Sequence, residues 1–207
     1  MARSQTLSNQ ICKLQELSVP YGGEVGPRLQ GGLRLNHNMQ YIACYGRNFE
    51  EARFDRAEVD PPLKRGYWRH IWVTREFSEK FEQELTRLSV GDPDSVPPIE
   101  QIWARIRFFS DGRKMVYPYD LRNLRPIGEG IWELKTLDVR LFGWFPFKDC
   151  FVIHAMADAN VLHDEKNSDL WKPYVDLVSA YIRELGIPAL NPILGAETQN
   201  VLSNRPQ

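Results

Sequence analysis

The chain has 207 residues and a formal net charge of −1, so it is no polycation, and any affinity for nucleic acid has to come from a local patch. Hydrophobic residues make up 43% and charged residues 26%, which suits a buried core and argues against a disordered chain. Cys12, Cys44 and Cys150 are far apart and form no CxxC pair, which argues against a disulfide scaffold or a zinc knuckle and for a reducing compartment.

MARSQTLSNQ at the start lacks the apolar stretch of a signal peptide. No apolar run approaches the roughly 20 residues needed to span a bilayer. A soluble cytoplasmic protein without a membrane partner is expected.

Residues 1–65 read as a loop-rich extension. PYGGEVGPRLQGGLRL carries five glycines and two prolines, which is turn chemistry. MQYIACY (39–45) has the length of one strand. Pro61 and Pro62 suit a boundary, because proline continues neither a helix nor the inside of a sheet.

From residue 66 the pattern sharpens. WRHIWVT (68–74) mixes aromatic and β-branched residues and reads as a strand. Phe77, Phe81, Leu85 and Leu88 recur at helical spacing. GDPDSVPP (91–98) stops that helix, and Ile99, Ile102, Trp103, Ile106 and Phe109 mark a second, closed by Gly112. Three strand-like runs follow, at 131–136, 139–145 and 150–157, joined by connections short enough for an antiparallel meander. Tyr174, Leu177, Val178, Tyr181, Ile182 and Leu185 form a third helical face, with Pro173 in its first turn and Gly186 and Pro188 beyond its end. Residues 187–207 read as a C-terminal tail, polar and expected to fray from Asn191.

The order is therefore strand, helix, helix, three antiparallel strands, helix. The two helices are expected to cover one face of the sheet. The other face stays open unless the last helix or the N-terminal segment covers it.

Within this frame Arg140 stands out, a cation in a strand as apolar as VRLFGWF. If the strand is regular, it shares a side with Phe142 and Trp144. Two readings fit it: a stem covering apolar surface with a wet head, or a charge aimed at an anion. Arg113, Lys114, Arg122 and Arg125, with Asp120 as the one acid between 113 and 125, give a local excess of +3. That run is either a solvated loop or a phosphate-positioning patch. Tyr117, Tyr119 and Trp144 are candidates to stack on bases, against the plainer role of core aromatics.

His154 is either a buried, hydrogen-bonded histidine or a proton carrier. The spacing of His154, Asp158, His163 and Asp164 matches no metal motif, so neither metal nor cofactor is expected. The glycines at 22–32 lack the lysine–serine/threonine pair of a phosphate loop.

The segments HIWVTREFSEKFEQEL, YDLRNLRPIGEGIWELKTLDVRLFGWF and FVIHAMA resemble the RelE/HigB toxin superfamily, especially its phage-derived toxin-like branch. Members read as a basic stretch, a leucine, "glyELR", a turn, "yRvly" and "LhgF". Leu124, Trp132–Glu133–Leu134–Lys135, Arg140 and Ile153–His154–Ala155–Met156 fall in those places. The resemblance covers about 70–186 and implies an α+β fold: an antiparallel sheet with two N-terminal helices on one face and a C-terminal helix, within a toxin domain at 66–186.

It also implies a function. Such toxins cleave mRNA in the ribosomal A site, where the messenger's own 2′-OH attacks the adjacent phosphate. Arg140 matches the strand arginine that would bind the scissile phosphate. Lys135 matches the basic residue before the turn, Lys166 would add charge, and His154 is the candidate proton carrier. The implied partners are an antitoxin of helix-turn-helix type, the ribosome and mRNA. One departure stands out: Ala157-Asp158-Ala159-Asn160 replaces the lysine cluster that usually follows. It leaves a second reading open, a degenerate, non-enzymatic protein-binding module of phage or mobile-element origin.

Overall fold

The computed structural model describes residues 28–29, 33–36, 54–58, 61–64, 66–88, 96–162, 168–195 and 197–204. Cys12, Cys44, the expected strand at 39–45, His163, Asp164 and Lys166 lie outside them. Among the described residues, eight strands form one sheet: β1 (Arg28–Leu29), β2 (Leu33–Asn36), β3 (Phe54–Glu58), β4 (His70–Thr74), β5 (Leu121–Asn123), β6 (Ile131–Lys135), β7 (Val139–Phe147) and β8 (Cys150–Asp158). Their order is β1-β2-β3-β4-β8-β7-β6-β5. The helices are α1 (Arg75–Thr86), α2 (Pro98–Ser110), α3 (Lys172–Leu185) and the short α4 (Thr198–Val201).

The chain is α+β, with the meander at 131–158 antiparallel as expected. The sheet as a whole is mixed, which corrects the all-antiparallel expectation: β4 lies parallel to β8, from His70↔Cys150 to Val73↔Ile153. The physical reason is the long connection through both helices and the meander, which returns the chain beside β4 in the same direction.

Local chemistry sets the element ends. Thr74 closes β4 and caps α1, its hydroxyl accepting from the Phe77 amide at 3.3 Å. Gly112 follows α2 at φ 77°, and a Cβ there would stand 2.6 Å from the Trp68 ring. Gly186 ends α3 at φ 62°. The turn between β7 and β8 uses Asp149 at φ 63°, a conformation that Asp tolerates better than most residues.

Strand alternation splits the core in two. Ile71, Val73, Trp132, Leu134, Leu141, Phe145, Phe151 and Ile153 face α1 and α2. Trp72, Ile131, Phe142, Trp144, Val152 and Ala155 face α3. The helix α3 thus covers the second face of the sheet.

Two expectations at the ends of the chain need correction. The sheet does not stop at residue 66: β3 pairs with β4, Phe54 and Ala57 are buried, and β1 and β2 lie in the segment read as loop. Pairing with an existing sheet edge supplies the order that local composition lacks. The segment after 186 does not fray. Leu190, Val201 and Leu202 are buried, and the Ile193 amide donates to the Phe145 carbonyl at 2.8 Å. Buried Arg69 donates to the Ser203 carbonyl at 2.6 and 2.8 Å, and Asp149 accepts from the Ser203 amide at 2.6 Å.

Candidate active site

The geometry begins at the β6–β7 turn. Val139 donates its amide to the Thr136 hydroxyl at 2.9 Å, and the Thr136 amide donates to the Val139 carbonyl at 2.9 Å. Buried Gln101 of α2 ties the turn down, its carbonyl accepting from the Asp138 amide at 2.9 Å while its amide donates to the Asp138 carboxylate at 2.5 Å. The hairpin register then places Lys135 directly across from Arg140, and Arg122 across from Glu133. Period-two alternation aims all four side chains at the face that α3 covers.

Glu133 is the centre of the group. It is a buried carboxylate, 1% exposed, on which three cations converge. Arg122 reaches it at 3.0 Å through both Nε and a terminal nitrogen, Arg140 through Nε at 3.3 Å, and Lys135 at 3.9 Å. The Trp171 indole N–H donates to it at 3.5 Å. The Arg140 guanidinium also donates to the Thr136 and Val139 carbonyls. Arg140 is therefore neither a plain surface arginine nor a charge standing apart from acids. It is a cation whose direction is fixed by a buried carboxylate and by its own turn.

His154 stands elsewhere on the same face. Its Nδ1 lies 2.8 Å from the Thr74 hydroxyl and its ring stacks on Tyr181 at 4.1 Å. Burial, with a smaller contribution from Lys80, pushes its pKa down to about 4, so the ring is neutral at pH 7. Phe142 pairs across the sheet with Ala155 and stacks on Tyr174 at 4.8 Å, and this stack stands between His154 and Arg140. The structure thus brings Arg140 and Lys135 together, while His154 is engaged by Thr74 and Tyr181.

The expected RNA contacts also divide. Trp144 is corrected outright. It has no exposed surface, and its indole N–H donates to the Leu190 carbonyl at 2.8 Å, so it is a core residue and cannot stack on a base. Arg113 and Lys114 are exposed just beyond α2, where Arg113 pairs with Asp111 at 3.2 Å and lies over Phe108. Arg122 and Arg125 instead line a cleft of about 590 Å³ with Asn123, Trp171 and Lys172.

Sequence reasoning missed Glu133, Gln101 and Trp171 as parts of this group. For Glu133 a signal existed: an acid inside the apolar IWEL, two residues before Lys135 and so on the same side of the strand. Among the described residues, no group of three or more His, Cys, Asp or Glu stands together as metal ligands do, and no helix is long and apolar enough to cross a membrane. Cys150 is buried, and burial pushes its thiol pKa up, which makes it a packing residue and not a nucleophile. Compared with known proteins, the chain matches no family model, no curated protein and no solved structure.

Proposed function

We propose that this chain is a toxin of the RelE/HigB kind, a ribosome-dependent mRNA endonuclease that acts in the cytoplasm and is held by an antitoxin of helix-turn-helix type. The observation that carries this reading is the cross-strand pair Lys135–Arg140, fixed by the buried Glu133 on an α+β scaffold. The order from 70 to 185, strand, helix, helix, meander, helix, supports it as well.

In the reaction the messenger's 2′-hydroxyl gives its proton to water as its oxygen attacks the adjacent phosphorus, the bond to the 5′-oxygen breaks with that oxygen taking a proton from water, and a 2′,3′-cyclic phosphate remains on the upstream fragment. Charge grows on the phosphoryl oxygens. Arg140 and Lys135 supply the cations that stabilise it, and Glu133 keeps them aimed so that little reorganisation is needed at the moment of reaction. Arginine suits the phosphate because its guanidinium is permanently charged and keeps its direction while Nε is held by Glu133 and one terminal nitrogen by the turn carbonyls.

A second reading has its own observation. His154 is held neutral by burial and engaged by Thr74, and Ala157, beside Arg140 in the sheet, is followed by Asp158 where the resemblance calls for lysines. That favours a non-enzymatic binding module which kept the fold. Induced expression separates the two. Growth arrest, with mRNA fragments mapping inside translated reading frames, supports the toxin. Harmless induction with intact messages supports the module.

A further inference from the structure

The cleft beside the Glu133 group has the chemistry of a site in its own right. One wall is Arg122, whose guanidinium lies over the Trp171 ring at 4.8 Å while Glu133 holds its other edge. Arg125 and Lys172 stand at the rim, both exposed. Each has one acidic partner on the surface, Glu129 for Arg125 and Asp176 for Lys172 at 2.9 Å. Exposed pairs of this kind contribute roughly 0–1 kcal/mol, so a phosphate displaces the carboxylate at little cost. Lys172 also opens α3, whose amino-terminal end adds partial positive charge. Tyr117, half exposed, also lines the cleft. Buried Asn123 shapes the floor, its carbonyl accepting from the Arg125 amide at 2.9 Å. The acid on the cleft is the exposed Asp169.

Three cations, an exposed aromatic ring and about 590 Å³ of open volume fit a nucleotide unit with its phosphate. The volume lies in the usual range for ligand clefts, and cation plus aromatic is the pairing that single strands use. We propose that this cleft binds single-stranded RNA, with Arg125 and Lys172 on backbone phosphates and Tyr117 stacked on a base. Arg122 joins the cleft to the Lys135–Arg140 pair, because one carboxylate, Glu133, holds all three. The strand therefore runs from the cleft across Arg122 toward the scissile phosphate. The proposal rests on the RNA-directed reading above and deepens it by naming where the messenger is gripped outside the bond that is cut.

The test is fluorescence anisotropy with the whole chain, without ribosomes, on a short labelled single-stranded RNA carrying 2′-O-methyl groups so that it cannot be cleaved. The double variant Arg125→Glu/Lys172→Glu alters two exposed side chains and should keep the wild-type melting curve. It should weaken binding about tenfold or more. It should also lower the slope of log affinity against log salt by about 1.4, at about 0.7 for each lost phosphate contact. Tyr117→Ala should weaken binding about tenfold with the slope unchanged. No RNA binding by wild type, wild-type affinity in the double variant, or equal affinity for an RNA duplex would overturn the proposal. Failure of the endonuclease reading looks different: harmless induction while RNA binding and its loss in the double variant persist.

Discussion

Replacing Glu133 with leucine removes the one carboxylate on which Arg122, Lys135 and Arg140 converge. The carboxylate side chain is 1% exposed, while the three cations keep 22%, 14% and 20% of theirs. Breaking a buried pair from one side costs about 3–5 kcal/mol, because the remaining charge is left in a poorly solvated place. Here the cations turn partly to water, so the low end applies, about 3 kcal/mol. For a domain of this size that lowers Tm by about 6–12 °C, at about 2–4 °C per kcal/mol. Glu133→Gln keeps the shape and one acceptor and should cost less, about 1–2 kcal/mol. Since Glu133 itself is buried, added salt should leave most of its contribution in wild type intact, whereas it would erase an exposed pair such as Lys172–Asp176. Urea unfolding followed by circular dichroism gives the numbers, provided the m-value stays constant. If Glu133→Leu is as stable as wild type, desolvation of the cations already cancels the attraction. Glu133 then does not organise the site.

Three further outcomes follow from other parts of the fold. Gly143 sits at a register shift in β7, where a Cβ would stand 1.8 Å from the Val152 carbonyl oxygen, so Gly143→Ala should cost about 3 kcal/mol or more, read as a drop in Tm or loss of soluble protein. Folding lowers the His154 pKa from 6.5 to about 4, so its contribution is complete above pH 6.5 and is lost as pH falls toward 4. The loss is about 3 kcal/mol in wild type, and in His154→Gln the acid limb of stability against pH should flatten by that amount. Arg69→Met removes the donors that hold Ser203 and Asn204, and limited proteolysis with mass spectrometry should then show cleavage within 197–204 well before the sheet is cut.

The helices and the meander were legible because each buries one face with a strong period. Phe77 and Phe81 of α1, and Ile102, Ile106 and Phe109 of α2, sit at helical spacing and are all buried. β3 was not legible. Its sequence FDRAE holds two charged residues, Asp55 and Arg56, that are buried, and it earns its place by pairing with β4. β5 has three residues, too few for a period to show. The docked C-terminal segment depends on Arg69 and Ser203, which lie 134 residues apart, and no local pattern records such a contact. For the site, the resemblance pointed to Lys135 and Arg140, and the sheet register places them side by side. Trp144 was misplaced for a tertiary reason: it alternates correctly with Phe142, but the face they share is covered by α3 and the Leu190 segment.

The central claim is that Arg140 stabilises a scissile phosphate. The direct measurement is the rate of mRNA cleavage on purified translating ribosomes, with fragment ends mapped, for wild type, Arg140→Ala and Arg140→Lys, each with its melting curve. Wild type should leave 2′,3′-cyclic phosphate ends. Arg140→Ala should be slower by about a hundred- to thousandfold, the usual cost of one preorganised donor to developing charge. Arg140→Lys should recover part of that rate, because lysine keeps the charge beside Glu133 but not the planar guanidinium that Glu133 and the turn hold in one direction. No cleavage by wild type, or a folded Arg140→Ala that cuts at the wild-type rate, would contradict the account.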